Sequence, residues 1–425
     1  MAITDWQTCD GAGLAPGRRD EAAVGVSRRG LMVGLSIGLM GWATRQSALA
    51  QVSVGPRNAD RNVVVVVFLR GGADGLSLLV PYADDTYYRL RPVLSVPKEK
   101  VHRLDGFFGL HPSLASLEPL FHSGQLAPLH AVGSDDQTRS HFEAMNTMER
   151  GVARRDGPQS GWVTRYLEAS EPENPSPLRA VALGYTTPTS LVGATNATTL
   201  SSLSDYRLDA PESARHSLES MYGRGSDLVS HAGRETLDVL RTMERIDAAH
   251  YKPSNSAKYP DSDLGLGLKQ VACLVRANVG LEVACLDKGG WDTHFGQGVT
   301  AGLLPLLLDD LGKSLAAFAQ DLGPESTRVT TIVMTEFGRR IEENASLGTD
   351  HGHGSAMFLM GGGVRGGQVH AKWPGLDHPV GPGDLAVTTD YRDVLSEVLS
   401  SRMGLRNPSD VFAGYEGSKL GIVGA

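Results

Sequence analysis

Basic charge, cysteine, aromatic side chains and long apolar runs are all scarce in this 425-residue chain, and each shortage excludes something. Lys and Arg together number 40 against 48 Asp and Glu, a formal net charge of -8, so no basic field exists that could hold a phosphate backbone, and nucleic acid is excluded as a partner. Only Cys9, Cys273 and Cys285 occur, too few for disulfides to drive the fold. Cys273 and Cys285 fall in a helix-like and a strand-like stretch, and a pair or two buried thiols both fit the sequence. Aromatic residues make up 6%, whereas glycine numbers 51, a balance that suits many tight strand-to-helix turns better than a sandwich of aromatic-rich strands. No G-x-S-x-G elbow lies near the histidines, which disfavours an α/β-hydrolase triad. What remains is 41% hydrophobic, enough for a large core.

The first fifty residues read as an address. Arg28 and Arg29 stand directly before an apolar run, Leu31 to Ala43, that is too short and too glycine-rich to anchor a membrane helix. Ser47-Ala48-Leu49-Ala50 closes the segment with small residues. The paired arginines resemble the twin-arginine export signal, which carries folded proteins. Cleavage after Ala50 would leave Gln51 as the mature N-terminus, in the periplasm or outside the cell, with the twin-arginine translocase as a transient partner and no membrane anchor afterwards. Arg28→Lys together with Arg29→Lys is accordingly expected to abolish export. Cell fractionation and N-terminal sequencing check both statements, and a lysine variant that still leaves the cytoplasm would refute the reading.

The mature chain alternates strand and helix signals. Asn62 to Leu69 is a continuous β-branched run without alternation, the pattern of a strand buried on both faces of a parallel sheet. Further strands are expected at Leu126 to Val132, Ala180 to Leu183, Leu281 to Leu286, Val329 to Thr335 and Ala356 to Met360. Helices are expected at His141 to Arg150, Arg234 to Ala249, Gly265 to Asn278, Leu303 to Asp321 and Tyr391 to Met403. This alternation predicts an α/β fold, a mostly parallel, doubly wound sheet with helices on both faces. Residues 51–425 form one domain in this reading, with a helical insertion around 150–262. Gly361-Gly362-Gly363-Val364-Arg365-Gly366 matches a dinucleotide-loop spacing but runs into Gly367 to His370, which looks like another strand; without a helix there is no dipole to hold a pyrophosphate.

Polar residues gather after the strands, where sites of such sheets form. Asp74 follows the first strand in a glycine-rich turn. Ser140 stands at a helix start after a polar turn, a position that suits an N-cap or a nucleophile whose oxyanion is stabilised by free N–H groups. Asp292-Thr293-His294 places two ligand types on one side of an extended segment. Glu336 and Arg339 follow the strand at Val329, and Asp350-His351-Gly352-His353 is the densest cluster, its glycines allowing the backbone close to an ion. Hard oxygens mixed with imidazoles suit zinc, manganese or a two-metal hydrolytic centre.

Taken together, VVVVVFLRGGADGLSLLVPY, TRSHFEAMNTMERG, GGWDTHFGQG, VMTEFGRR and GTDHGHGSAMFLMGGGVRGGQV resemble the bacterial family catalogued as domain of unknown function 1501, from about Arg61 to about Leu405. That family is a branch related to alkaline phosphatases and sulfatases. The resemblance implies an alkaline-phosphatase-like fold, Asp74 as the first-strand ligand, Ser140 as nucleophile, Asp292 and His294 as ligands of one metal, and His351 or His353 as the last histidine ligand. Glu336 stands where relatives have an Asp-His pair, and it is followed by Phe337. The expectation is therefore one or two divalent ions, zinc first, then manganese, magnesium or calcium, held among Asp74, Asp292, His294, Glu336, Asp350, His351 and His353. Arg339 or Arg139 would clamp a small anionic phosphate or sulfate ester. No Cys-x-Pro-Ser-Arg stretch is present, so a formylglycine sulfatase mechanism is not expected. The competing expectation is a non-enzymatic envelope protein that keeps the fold and binds a partner or glycan.

Overall fold

The computed structural model describes residues 61–152, 157–170, 176–195, 197–204, 208–246 and 248–424. The export segment read at residues 1–50 lies outside them. Eight strands form one sheet: β1 (Val63–Leu69), β2 (Leu126–Gly133), β3 (Ala180–Leu183), β4 (Ala197–Leu200), β5 (Val283–Lys288), β6 (Val329–Thr335), β7 (Ser355–Gly361) and β8 (Thr389–Asp390). Their spatial order is β8-β2-β7-β6-β1-β5-β3-β4. All neighbours run parallel except β7, which is antiparallel to both β2 and β6. The α/β expectation, a mostly parallel sheet with helices on both faces, is borne out.

The valine run decides where the sheet has its centre. Every residue of β1 is buried, and the strand lies between β5 and β6 with Val65 opposite both Ala284 and Thr331. Because side chains alternate across a strand, Val63, Val65, Val67 and Leu69 enter one core with the helices Asp263–Ala277 and Leu303–Leu322. Val64, Val66 and Phe68 enter the other with Trp162–Ala169 and Tyr391–Arg402. Each such side chain contributes about 1.5–3 kcal/mol by leaving water, so a polar residue anywhere in the run would be costly on one face or the other.

Sequence patterning missed the helices Trp162–Ala169 and Glu212–Gly223 and the short strands β4 and β8, whose few residues carry too little periodicity. The segment Gly367 to His370, read as a strand, makes one isolated bridge, Leu129 to His370, and no named strand. Cys273 and Cys285 are both buried and are not joined to each other, which settles the question the sequence left open. No described helix is long and apolar enough to cross a membrane.

Within this sheet the reversed strand β7 matters most for function. Since β7 runs against its neighbours, the residues just before it lie at the carboxyl edge of β1, β2, β5 and β6. The loops after those four strands and the loop before β7 therefore share one rim.

Candidate metal centre

Asp292, in the loop after β5, is the point on which the others converge. Its Oδ1 lies 3.1 Å from His294 Nε2, 3.1 Å from His351 Nε2 and 3.4 Å from His141 Nε2, and it accepts a 2.7 Å hydrogen bond from Arg339 Nη2. His141, Asp292 and His351 present ligand atoms within 4.8 Å of one another, and His294 Nε2 is 2.9 Å from His351 Nε2. Close backbone approach makes this possible. Gly71, after β1, has φ +121°, and a Cβ there would sit 2.6 Å from the backbone nitrogen of Asp292; a Cβ on Gly352 would sit 2.3 Å from the carbonyl carbon of Arg339.

Each imidazole is held from behind. His141 Nδ1 is 2.8 Å from Glu336 Oε1, His294 Nδ1 is 3.2 Å from Asp350 Oδ1, and His351 Nδ1 is 2.8 Å from the Arg139 carbonyl. Carboxylates and carbonyls only accept, so every Nδ1 carries the hydrogen and every neutral ring turns the lone pair of Nε2 toward Asp292. Two lone pairs at 2.9 Å repel unless a cation stands between them. His141 Nε2 is buried without a hydrogen-bond partner. Four separations among the ligand atoms, 2.9 to 3.4 Å, are close to the roughly 3.3 Å edges of a tetrahedron whose metal bonds are about 2.0 Å long, and His141, Asp292 and His351 are the three whose atoms all lie within 4.8 Å of one another. The residues fit a divalent ion.

The electrostatics agree. Burial alone would raise the Asp292 carboxyl, but the hydrogen bond and positive charge of Arg339 outweigh it, and the carboxyl is held at about 2. Glu336, whose burial acts in the same upward direction, is kept below the usual carboxylate range by His141 and the backbone N–H groups of Gly71 and Gly72. His141 is raised chiefly by its hydrogen bond to Glu336, while burial lowers His351. Phe337, the residue that replaces the expected histidine, stacks against both rings at 4.9 Å.

Several expected residues stand elsewhere. Asp74 is fully buried in an ion pair with Arg91, at 2.5 and 3.0 Å, and also accepts from Ser77 and Gln297, so its oxygens are engaged and it is not among the converging residues. Glu336 and Asp350 orient histidines and stand behind the cluster. His353 turns away, its Nε2 2.6 Å from the Ser134 carbonyl. Arg339 cannot clamp a substrate: its side chain is wholly buried and donates to the carbonyls of Gly71, Gly72, Trp291 and Thr349 besides Asp292. Arg139 pairs with Asp384. Ser140 is the half-buried N-cap of His141–Arg150, and its side chain makes no capping hydrogen bond. Sequence reasoning passed over His141. Its signal, a histidine opening the helix after β2, is indistinguishable locally from any first-turn residue.

With the fold and the cluster in place, the likenesses to other proteins can be set beside them. The family described as "Protein of unknown function (DUF1501)" matches residues 61–424, and the chain belongs to it. No curated protein matches the sequence. Among solved structures, the PsFucS1 sulfatase from Pseudoalteromonas sp. is 10% identical, with 92% of this chain and 77% of that one covered and a TM-score of 0.36.

Proposed function

We propose that this member of the DUF1501 family is a zinc-dependent hydrolase of phosphate or sulfate esters that works outside the cytoplasm. One observation carries the reading: three imidazoles, each fixed through Nδ1, turn Nε2 toward a single carboxylate oxygen. His141, Asp292, His294 and His351 would hold the ion. A set dominated by imidazole suits zinc better than magnesium or calcium, which prefer oxygen. When bound, the ion supplies Lewis-acid charge to an ester oxygen.

The chain's own residues supply the rest. Glu336 and Asp350 keep His141 and His294 in the tautomer that faces inward. Ser140 precedes His141 at the start of a ten-residue helix, where free N–H groups favour an anion, and its hydroxyl is not engaged in capping. In this reading the serine oxygen attacks phosphorus or sulfur, the bond to the alcohol breaks, and water then releases the acid and restores the serine. Phe142 and Phe295, which directly follow His141 and His294, are 84% and 77% exposed and offer apolar surface to a ring-bearing alcohol.

The rival, a non-enzymatic envelope protein, draws on Asp74: with that carboxylate paired to Arg91, no second metal set is assembled from the expected residues. Metal analysis of natively exported protein, paired with a screen of phosphate and sulfate esters weighted toward aryl esters, separates the two. The expected result is about one zinc per chain, with Ser140→Ala keeping the zinc and losing turnover by orders of magnitude. Protein that carries no stoichiometric metal and hydrolyses no ester rules the hydrolase out. Full activity in Ser140→Ala would make water the attacking group.

A further inference from the structure

A buried polar chain runs beneath the cluster and ends on a glutamine that nothing above assigns. Gln297 is fully buried. Its Oε1 accepts from Thr293 Oγ1 and from Thr349 Oγ1, both at 2.8 Å, and its Nε2 donates to Asp74 Oδ2 at 2.9 Å. The chemistry admits only this orientation of the amide, because the flipped one would set its oxygen against a carboxylate. Thr293 lies between Asp292 and His294, and Thr349 directly precedes Asp350 and His351. Along an extended segment alternate side chains point to opposite sides, so Thr293 turns inward between two residues that face the cluster, and Thr349, fully buried beside the half-buried Asp350 and His351, turns inward as well. The two hydroxyls meet on one oxygen, and the loops also join directly through Thr349 N to the Thr293 carbonyl at 3.1 Å. Asp74, locked by Arg91 and Ser77, holds the far end of the amide.

We propose that Gln297 is a positioning residue of the metal centre, its amide setting the spacing between the loop that bears Asp292 and His294 and the loop that bears Asp350 and His351. This rests on the reading of the cluster as a metal site. Thr349→Val removes one of the two donors and leaves the Thr293 bond, so the chain keeps a satisfied acceptor and folds. Thr349→Ser restores the hydroxyl. Gln297→Met removes the whole clamp.

The test is zinc affinity of the full mature protein, measured by competition with a chromophoric chelator, together with the visible absorption of the cobalt(II)-loaded protein. Thr349→Val and Gln297→Met are expected to weaken zinc about 10- to 100-fold, the loss typical of outer partners that orient ligands, and to change the cobalt spectrum. Thr349→Ser is expected to match the wild type in both. A merely structural role would lower the amount of folded protein without altering the cobalt spectrum of what remains folded. Wild-type affinity in both Thr349→Val and Gln297→Met overturns the clamp and leaves the metal reading standing; a wild type that binds neither zinc nor cobalt overturns both.

Discussion

Asp292→Asn is expected to strip the protein of its metal. Three imidazole nitrogens face the one oxygen of Asp292, and the held-down carboxyl, at about 2, keeps that oxygen anionic at every working pH. Asparagine has the same shape but no charge, so it offers a cation a weaker, neutral ligand. Zinc affinity should fall by more than the about 10- to 100-fold that outer partners cost, and any ester hydrolysis should fall with it. The fold should survive. The asparagine oxygen still accepts from Arg339, whose other donors remain on the carbonyls of Gly71, Gly72, Trp291 and Thr349. Losing the counter-ion of a buried guanidinium costs about 1–3 kcal/mol, visible as a modest drop in Tm. Elemental analysis after dialysis and a thermal melt check the two halves; an asparagine variant that keeps a full complement of metal would remove Asp292 from the ligand set.

Arg91→Met is expected to be the most destabilising single change near the site while touching none of its ligands. Arg91 and Asp74 are both fully buried, and the guanidinium also donates to the carbonyls of Ile341 and Arg340. Removing one partner leaves an uncompensated carboxylate in the core, which costs about 3–5 kcal/mol; at about 2–4 °C per kcal/mol, Tm should fall by roughly 10 °C. Asp74→Asn combined with Arg91→Met should lose less than Arg91→Met alone, since no unpaired charge then remains. The pH dependence follows from the carboxyl. Burial would raise Asp74, but the Arg91 pairing outweighs it and the folded-state value lies below the ordinary one. The stabilisation is therefore complete above the usual carboxylate range and is lost as pH falls beneath it. Calorimetry across pH measures this, and a melt within about 2 °C of wild type would refute the role given to the pair.

Much of the architecture was legible in the amino-acid order because its causes are local. The unbroken valine run of β1 admits only a strand covered on both faces, and the apolar spacing of Leu303–Leu322 admits only a helix packed along one side. Asp292-Thr293-His294 likewise announces, by simple alternation, two ligands facing together with a threonine facing away. Other features had no local cause. That His351 joins the cluster while His353 turns to the Ser134 carbonyl, that His141 completes it from the helix after β2, and that Asp74 answers to Arg91 were decided when separate strands packed side by side. The reversed direction of β7 has the same origin, and it alone brings His351 to the carboxyl edge where the other loops end. Alternation and helical spacing are written in neighbouring residues, whereas the partner of a buried charge or an inward-facing imidazole is set by contacts between residues far apart in the chain, and those exist only once the sheet has formed.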